Sequence, residues 1–444
     1  MRAPARFLLG ACGAIAVGAL PAACDWRAFD TLQNQAPVLA IDAPSGFPSS
    51  SDFGSVLLPV APPADGSSAA WFLASATEMT GLALIKLDAS GGSSALTLTG
   101  QALDELGESP VTAMAEIPGT GTAFLGAPTL NSLLTVDLAT QTVSAFVLEE
   151  TLLAPETELG VGVAAGKLIG GATPDLVATS STSLHVFVAG AVANELVPSP
   201  AELAACQMMA LSPQLAAGDK INRAVVIGNL TGSGSVVAVG TPGAGVAGSV
   251  SIFEATASAV TCVGVLLAPA VTSPAGTVNS GFGRALAIGD FDGDGAADLL
   301  VGAPPDNVYL YKGPLAFPVS APTATIPAPS SSAAFGAAMA AIPLDGVKGD
   351  EALVSDPGAS IDGQTGAGNV TIYTGATLSK MATPTPVLTD HESSTGEAYG
   401  SALGALPFCA SPPCATGPQL LPLVGTPSKA FVYFTLGPTD PRAM

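Results

Sequence analysis

The feature that most constrains this chain is one pattern of short apolar segments, repeated along most of its length. The clearest copy, GFGRALAIGDFDGDGAADLLVGAPPDNVYLYKG (281–313), has an aromatic-Gly opening, an apolar strand, a loop, a strand ending in Gly-Ala-Pro and a further strand. The same order recurs, in part or in full, at 53–100, 111–148, 159–190, 221–256, 281–313, 335–375 and 399–437. Such a chain stacks one supersecondary unit on the next and buries its apolar faces between copies.

The spacing of the copies favours a propeller over a solenoid. Consecutive openings lie 62, 61, 53 and 64 residues apart, at Gly160, Asn222, Gly283, Gly336 and Gly400. The 106 residues from Gly54 to Gly160 leave room for two copies. These steps are long for a solenoid coil but suit a four-stranded blade with its loops. We therefore predict an all-β, seven-bladed β-propeller of four-stranded blades.

Composition agrees with many short strands and excludes some functions. The 51 Gly and 38 Pro in 444 residues disfavour long helices. Disorder is the other interpretation of such a composition, but the apolar runs recur regularly and hydrophobic residues make up 48% of the chain. The formal net charge of −22 leaves no basic footprint for nucleic acid. We therefore expect no nucleic-acid partner.

The two ends of the repeat region complement each other. The last copy reaches its third strand at KAFVYFTLG (429–437) and has no fourth, whereas PVLAID (37–42) stands alone before the first copy. If the N-terminal strand completes the last blade, the ring closes and no sheet edge is left for aggregation.

The N-terminus carries an export signal. Arg2 and Arg6 precede an apolar run (7–20), too short to span a bilayer, and PAAC (21–24) follows. This segment resembles a bacterial lipoprotein signal peptide, with Cys24 as the lipidated residue. LGAC (9–12) is a second candidate lipidation motif, and ordinary secretion without a lipid is the alternative.

The predicted domain organisation follows from these boundaries. It consists of a signal peptide (1–23), a tether (24–36), the propeller (37–437) and a C-terminal tail (438–444). We expect an exported protein of the cell envelope, held at the outer membrane or cell surface through its lipid alone. In such an oxidising compartment the remaining cysteines predict two disulfides. Cys409 and Cys414 are close in sequence, which leaves Cys206 with Cys262.

The loop DFDGDGAAD (290–298) is the strongest candidate site. Asp290, Asp292 and Asp294 alternate, the Ala296 carbonyl can face inward, and Asp298 stands at the ninth position. Hard oxygen ligands in this number suit Ca²⁺ better than Mg²⁺. An EF-hand is excluded, because Val301 stands where its closing Glu belongs and strands flank the loop. A solvated turn without metal is the alternative.

With this loop, the Phe-Gly opening and the Gly-Ala-Pro strand, residues 53–437 resemble FG-GAP repeats, as in the β-propeller of integrin α chains. The resemblance implies that the loop joins the first two strands of a blade and binds calcium on one face of the ring. It also implies that interblade loops on the opposite face receive a protein or a glycan.

Other copies retain only parts of the acidic loop. The copy at 221–256 has NLTGSG (229–234) with no closing acid. The copy at 335–375 keeps Asp345 and Glu351 but has Pro343 and Val347 at ligand positions, and the copy at 159–190 keeps Asp175. We therefore predict one calcium ion.

No motif for catalysis stands out. His185 lies in the strand-like SLHVFV and His391 in TDHESSTGEAYG, where neighbouring acidic and hydroxyl groups do not by themselves make a triad. Trp26 and Trp71 are the only tryptophans, which disfavours a lectin built on stacked aromatics. We predict a non-enzymatic binding or adhesion module. The alternatives are a cell-envelope hydrolase or lyase on the same scaffold and a purely structural envelope protein.

Overall fold

The computed structural model describes residues 38–45, 53–61, 70–75, 81–88, 90, 92–106, 109–117, 119–147, 158–171, 173–181, 183–206, 224–243, 248–269, 281–319, 321–329, 334–344, 348–373, 378, 388, 394–409 and 419–434. The predictions for the signal peptide, Cys24, the tether, Trp26, Asp345, Val347, His391, Cys414 and the tail lie outside these residues.

The described strands form seven antiparallel sheets in chain order. The first sheet comprises β2 (Val56–Val60), β3 (Ala70–Ser75), β4 (Leu82–Leu87) and β5 (Ser93–Leu96). The second comprises β6 (Ala113–Ile117), β7 (Thr122–Ala127), β8 (Ser132–Asp137) and β9 (Thr142–Val147). The third comprises β10 (Gly162–Gly166), β11 (Asp175–Thr179), β12 (Leu184–Phe187) and β13 (Glu195–Leu196). The fourth comprises β14 (Val225–Gly228), β15 (Val236–Thr241), β16 (Ser249–Ala255) and β17 (Val260–Leu267).

The last three sheets follow in chain order. The fifth comprises β18 (Ala285–Gly289), β19 (Asp298–Ala303), β20 (Asn307–Tyr311) and β21 (Ala324–Pro327). The sixth comprises β22 (Met339–Ile342), β23 (Glu351–Asp356) and β24 (Asn369–Tyr373), and Leu388 pairs with Val370 at the fourth-strand position. The seventh comprises β25 (Ala402–Phe408), β26 (Gln419–Gly425), β27 (Lys429–Tyr433) and β1 (Val38–Asp42).

Helices are few and short among the described residues. They are α1 (Gln101–Leu106) and α2 (Pro200–Ala205), with 3₁₀ turns at Pro128–Leu130, Val188–Gly190 and Val192–Asn194. Within the described part of the chain, no helix combines the length and the apolar character needed to cross a membrane.

The sheets are the blades of a closed ring, as predicted. The first strand of each blade contacts the first strands of its two neighbours, and β25 of the last blade contacts β2 of the first. The predicted closing strand, β1, pairs antiparallel with β27 from Val38 opposite Tyr433 to Asp42 opposite Lys429. Segments from opposite ends of the described chain therefore complete one sheet.

The core lies between the blades. Each of seven apolar clusters joins side chains from two adjacent blades, including the pair formed by the last blade and the first. The second strands are buried on both faces, as in β3 and β19. The aromatic residues of the repeat openings are at most 1% exposed and fill the space toward the preceding blade: Phe53, Phe282, Phe335 and Tyr399.

Glycines of the motif lie where the backbones of neighbouring blades approach closely. A Cβ on Gly302, in the Gly-Ala-Pro segment of blade five, would lie 2.2 Å from the carbonyl oxygen of Gly336, in the opening of blade six. The same contact recurs between Gly126 and Gly160, between Gly240 and Gly283, and between Gly425 and Gly54 across the ring closure. Glycine is required here because any side chain would force neighbouring blades apart.

We predict that Gly302→Ala destabilises the protein by about 1–3 kcal/mol, because the new methyl group overpacks the blade interface. The matched control is Gly171→Ala, where a Cβ would lie 3.6 Å from its nearest neighbour, the Thr173 carbonyl oxygen. That substitution is expected to leave stability unchanged or to raise it by less than about 1 kcal/mol. Denaturant unfolding of both variants measures the difference, and equal midpoints would contradict the proposed contact.

Candidate metal centre

The acidic loop connects β18 to β19, the first two strands of blade five, as the resemblance implied. Phe291 is fully buried in the cluster between blades five and six and anchors the loop. Gly293 (φ 76°) and Gly295 (φ 97°) take left-handed conformations, which permit two sharp reversals within a few residues.

The loop brings three of the predicted ligands together. One carboxylate oxygen from each of Asp290, Asp292 and Asp294 lies within 4.8 Å of the other two. Backbone N–H groups hold these side chains: Gly295 donates to Asp290 Oδ2 (3.0 Å) and Asp294 donates to Asp292 Oδ1 (3.0 Å). The N–H of Ala296 donates to Asp294 Oδ1 (2.7 Å). These Asx-type contacts build the turn and aim the carboxylates inward.

Two observations show that the cluster fits a cation. Asp290 Oδ1 is buried and has no hydrogen-bond partner among the described residues. This oxygen atom is therefore free to bind a cation. The ammonium of Lys312, the residue after β20, contacts Asp292 Oδ2 and lies 3.7 Å from Asp294 Oδ2. A positively charged group thus already lies against two of the three carboxylates. Hard oxygen donors of this kind suit calcium.

These contacts shift the pKa values of Asp292 and Lys312. Burial acts to raise the pKa of Asp292, but the hydrogen bonds from Lys312 and from the Asp294 N–H, with the charges of Lys312 and Lys348, hold it below its usual value. The hydrogen bond to Asp292 and the nearby acids raise the pKa of Lys312. Both groups are therefore charged at neutral pH.

Asp298 has a different environment from the other three. It is the first residue of β19, it is fully buried, and it is not part of the 4.8 Å cluster. Its Oδ2 accepts the Phe291 N–H (3.0 Å) and its Oδ1 accepts the Gly313 N–H (2.9 Å). Burial, together with the charges of Asp292 and Asp294, raises the pKa of Asp298 to about 6 despite these two hydrogen bonds. In this structure Asp298 ties the loop to the end of the third strand.

The same contact recurs in blades that lack the three clustered acids. Asp175, the first residue of β11, accepts the N–H groups of Leu168 (3.0 Å) and Ile169 (2.8 Å) on Oδ2 and that of Ala189 (2.7 Å) on Oδ1. Glu351, the first residue of β23, accepts the Leu344 N–H (2.6 Å). From sequence alone, both acids are interpreted as remnants of ligand loops. The structure gives them a role that needs no metal.

Blade four retains the shape of the loop without its charge. The Gly234 N–H donates to Asn229 Oδ1 (3.3 Å), as Gly295 does to Asp290. At the positions of Asp292 and Asp294, the hydroxyls of Thr231 and Ser233 contact each other at 2.9 Å. Neutral oxygen atoms therefore replace the carboxylates, and this loop offers a matched control for metal binding.

A residue of blade six supports the acidic loop and was missed in the sequence analysis. The Asp290 N–H donates to Asp350 Oδ2 (2.9 Å), and the Asp350 N–H donates to the Asp290 carbonyl oxygen (2.8 Å). No spacing within one repeat indicates this pair, because its members are 60 residues apart in neighbouring blades. The contact couples the candidate site to the blade interface.

The remaining candidate residues lie away from the acidic loop. His185 is fully buried and its Nδ1 contacts Glu195 Oε1 (2.6 Å), while Trp71 belongs to the core between blades one and two. A disulfide joins Cys206, after α2, to Cys262 on β17. Cys409 is also disulfide-bonded, and its predicted partner, Cys414, lies outside the described residues.

A central cavity of about 290 Å³, which we call the channel, is lined by residues at the starts of the first strands of all seven blades. Among the described lining residues, Arg284 is the one ionisable side chain, and it is exposed. Arg284 precedes β18, whereas the acidic loop follows that strand, so the two lie toward opposite faces of the ring.

Comparison with known protein families supports the motif identified in blade five. Residues 282–313 match the FG-GAP repeat. The resemblance drawn from the sequence is thus confirmed for the copy in which the motif is most complete. A search of curated proteins finds no match.

We predict that Asp298→Ala and Asp175→Ala each destabilise the calcium-free protein by about 1–3 kcal/mol, because buried backbone N–H groups lose their acceptor. The measurement is denaturant unfolding in the presence of a chelator. Asp175 serves as the comparison, since the described residues of its blade contain no acidic cluster. A calcium-free Asp298→Ala protein as stable as wild type would show that this side chain serves only a ligand.

Proposed function

We propose that this protein is a calcium-stabilised, non-enzymatic β-propeller that acts outside the cytoplasm as a binding or adhesion module for a protein or a glycan. The observation that carries the proposal is the cluster of Asp290, Asp292 and Asp294 within an FG-GAP repeat. Its buried, unpartnered Asp290 Oδ1 supports a cation as the occupant.

The three clustered aspartates would hold one calcium ion, whose charge offsets their mutual repulsion. The sequence also predicts the Ala296 carbonyl and Asp298 as ligands, and both stay predictions. Asp350 holds the backbone of Asp290, and Asp298 ties the loop to Gly313 at the end of the third strand. Ion binding would thus strengthen the link between β18, β20 and blade six, which is a structural role and involves no reaction.

The binding surface is proposed on the face opposite the acidic loop, where the family resemblance places partner contacts. Arg284 lies at the channel mouth on this face and carries a positive charge in a chain of net charge −22. An exposed guanidinium can bind carboxylates or other anionic groups of a protein or an acidic glycan through paired hydrogen bonds.

A hydrolase or lyase on this scaffold is the alternative. It requires at least two convergent ionisable groups in the channel. Arg284 is the one ionisable side chain among the described lining residues. This composition favours the binding module over the enzyme.

Export and anchoring complete the proposal. The Cys206–Cys262 disulfide is compatible with an oxidising compartment outside the cytoplasm. Cys24 is proposed to carry a lipid that holds the propeller at the outer membrane or cell surface, with ordinary secretion as the alternative.

We predict that calcium raises the melting temperature of the wild-type protein and that Asp292→Ala combined with Asp294→Ala abolishes the rise. At a calcium concentration 100-fold above Kd, ligand binding adds about 2.7 kcal/mol to stability. Thermal unfolding with calcium, with magnesium and with chelator measures the effect, and magnesium should produce the smaller shift.

The matched control is Thr231→Ala combined with Ser233→Ala, at the corresponding positions of blade four. This variant should keep the full response to calcium. An equal rise in the double aspartate variant would place the bound calcium elsewhere and refute the site.

We predict that cross-linking on intact cells captures a saturable partner and that Arg284→Glu reduces its capture several-fold. Lys167→Glu is the control, because it makes the same charge change at an exposed residue after β10, toward the face of the acidic loop. Each variant is cross-linked with and without chelator, and captured molecules are identified by mass spectrometry.

The outcomes separate the alternatives. Absence of any saturable product would favour a purely structural envelope protein. Turnover of an envelope polymer by the purified protein would favour the enzyme.

A further inference from the structure

Lys312 places a positive charge inside the acidic loop. It follows β20, the third strand of blade five, and its side chain is 40% exposed. Its ammonium forms ion pairs with Asp292 and Asp294, two of the three clustered acids. The neighbouring Gly313 is held by Asp298, so the backbone beside Lys312 is tied to the loop.

The loop needs a positive charge in the absence of metal. Carboxylates this close repel one another unless a cation offsets them. Among the described residues, Lys312 is the cation that forms ion pairs with the cluster, whereas Lys348 influences Asp292 without such a contact. The Lys312 ammonium uses Asp292 Oδ2 and Asp294 Oδ2, while Asp290 Oδ1 stays unpartnered.

A lysine and a divalent cation compete for these oxygen atoms. The two positive charges would lie a few ångströms apart if both contacted Asp292 and Asp294, and their repulsion at that distance is strong. Because the lysine side chain is long, flexible and partly exposed, it can swing into solvent when a metal ion arrives. Calcium binding would then break both ion pairs.

We propose that Lys312 is an intramolecular counter-cation, which occupies the acidic loop in the metal-free protein and lowers its affinity for calcium. The inference rests on the calcium site proposed above. At this site, calcium would displace the ammonium of Lys312. The metal-free loop keeps its shape because the lysine replaces part of the charge of the ion. The calcium concentration at which the site fills is therefore set by Lys312 as well as by the aspartates.

Calcium titration of Lys312→Gln tests the competition. Isothermal titration calorimetry at fixed pH and ionic strength should give a Kd about tenfold lower than wild type, because a competing charge has been removed. Lys312→Arg keeps the charge and should remain within about threefold of wild type. Lys167→Gln makes the same charge change at an exposed position after β10 in blade three and should leave the Kd unchanged. A Kd of Lys312→Gln equal to or higher than that of wild type would overturn the proposal.

A second measurement uses the unaltered protein. An amine-reactive ester is added with calcium or with chelator, and labelling of each lysine is quantified by mass spectrometry. Calcium should speed labelling of Lys312 several-fold by releasing it from its ion pairs and should leave Lys167 unchanged. Equal or slower labelling of Lys312 in calcium would contradict the exchange.

The two proposals fail in different ways. If no variant binds calcium at millimolar concentrations, the calcium site itself is wrong, and the counter-cation role falls with it. If wild type and Lys312→Gln bind with the same Kd, the calcium site stands and only the role of Lys312 is wrong.

Discussion

The contact between glycine backbones, seen at four of the seven blade interfaces in the described residues, is the constraint on which this ring depends. A second-strand glycine lies against the carbonyl of the glycine that opens the next blade, at a distance no side chain could occupy. The aromatic residue beside the opening glycine fills the adjoining space. Backbone proximity therefore brings the sheets close enough to bury both faces of their second strands, and the apolar clusters follow from that approach. Between Gly54 and Gly425, the same contact joins the first blade to the last.

The acids of the loop have two roles, which the sequence pattern alone does not distinguish: one holds the backbone, and the others form an acidic cluster. The ninth-position acid ties the loop to its own blade, and Asp175 and Glu351 make comparable contacts in blades without clustered aspartates. The alternating aspartates converge on a shared space where a cation can lie. The contacts of the ninth-position acid need no cation. The clustered carboxylates, by contrast, repel one another unless a positive charge lies beside them. In blade four, which has no closing acid, the Gly234 N–H still donates to Asn229 and neutral side chains occupy the positions of Asp292 and Asp294.

Much of the site could be predicted from the spacing of its aspartates, because side chains that alternate within a tight loop converge. Asp290, Asp292 and Asp294 were identified in this way, and the structure brings their carboxylates together. Two contributors escaped this reasoning. Lys312 approaches from the third strand, and Asp350 approaches from the next blade. Both contacts depend on how strands and blades are stacked, and no pattern within the loop encodes that arrangement. The predicted ligand Asp298 was assigned by position alone, and its burial and its backbone partners became visible only in the folded chain.

The sequence by itself determined the kind of fold and its closure, since both depend on local and repeating features. Strand-length apolar runs, glycines at recurring positions, the spacing of the copies and the complementary chain ends were sufficient for a seven-bladed ring closed by residues 38–42. Only the tertiary structure decided which acids cluster with one another and which accept backbone N–H groups. Only the structure also showed that a lysine enters the acidic loop and that Arg284 stands alone among the ionisable residues of the described channel lining. The physical reason is that periodicity fixes which face of a strand is buried, whereas the partner of a charged side chain depends on groups distant in sequence that meet only when the blades pack.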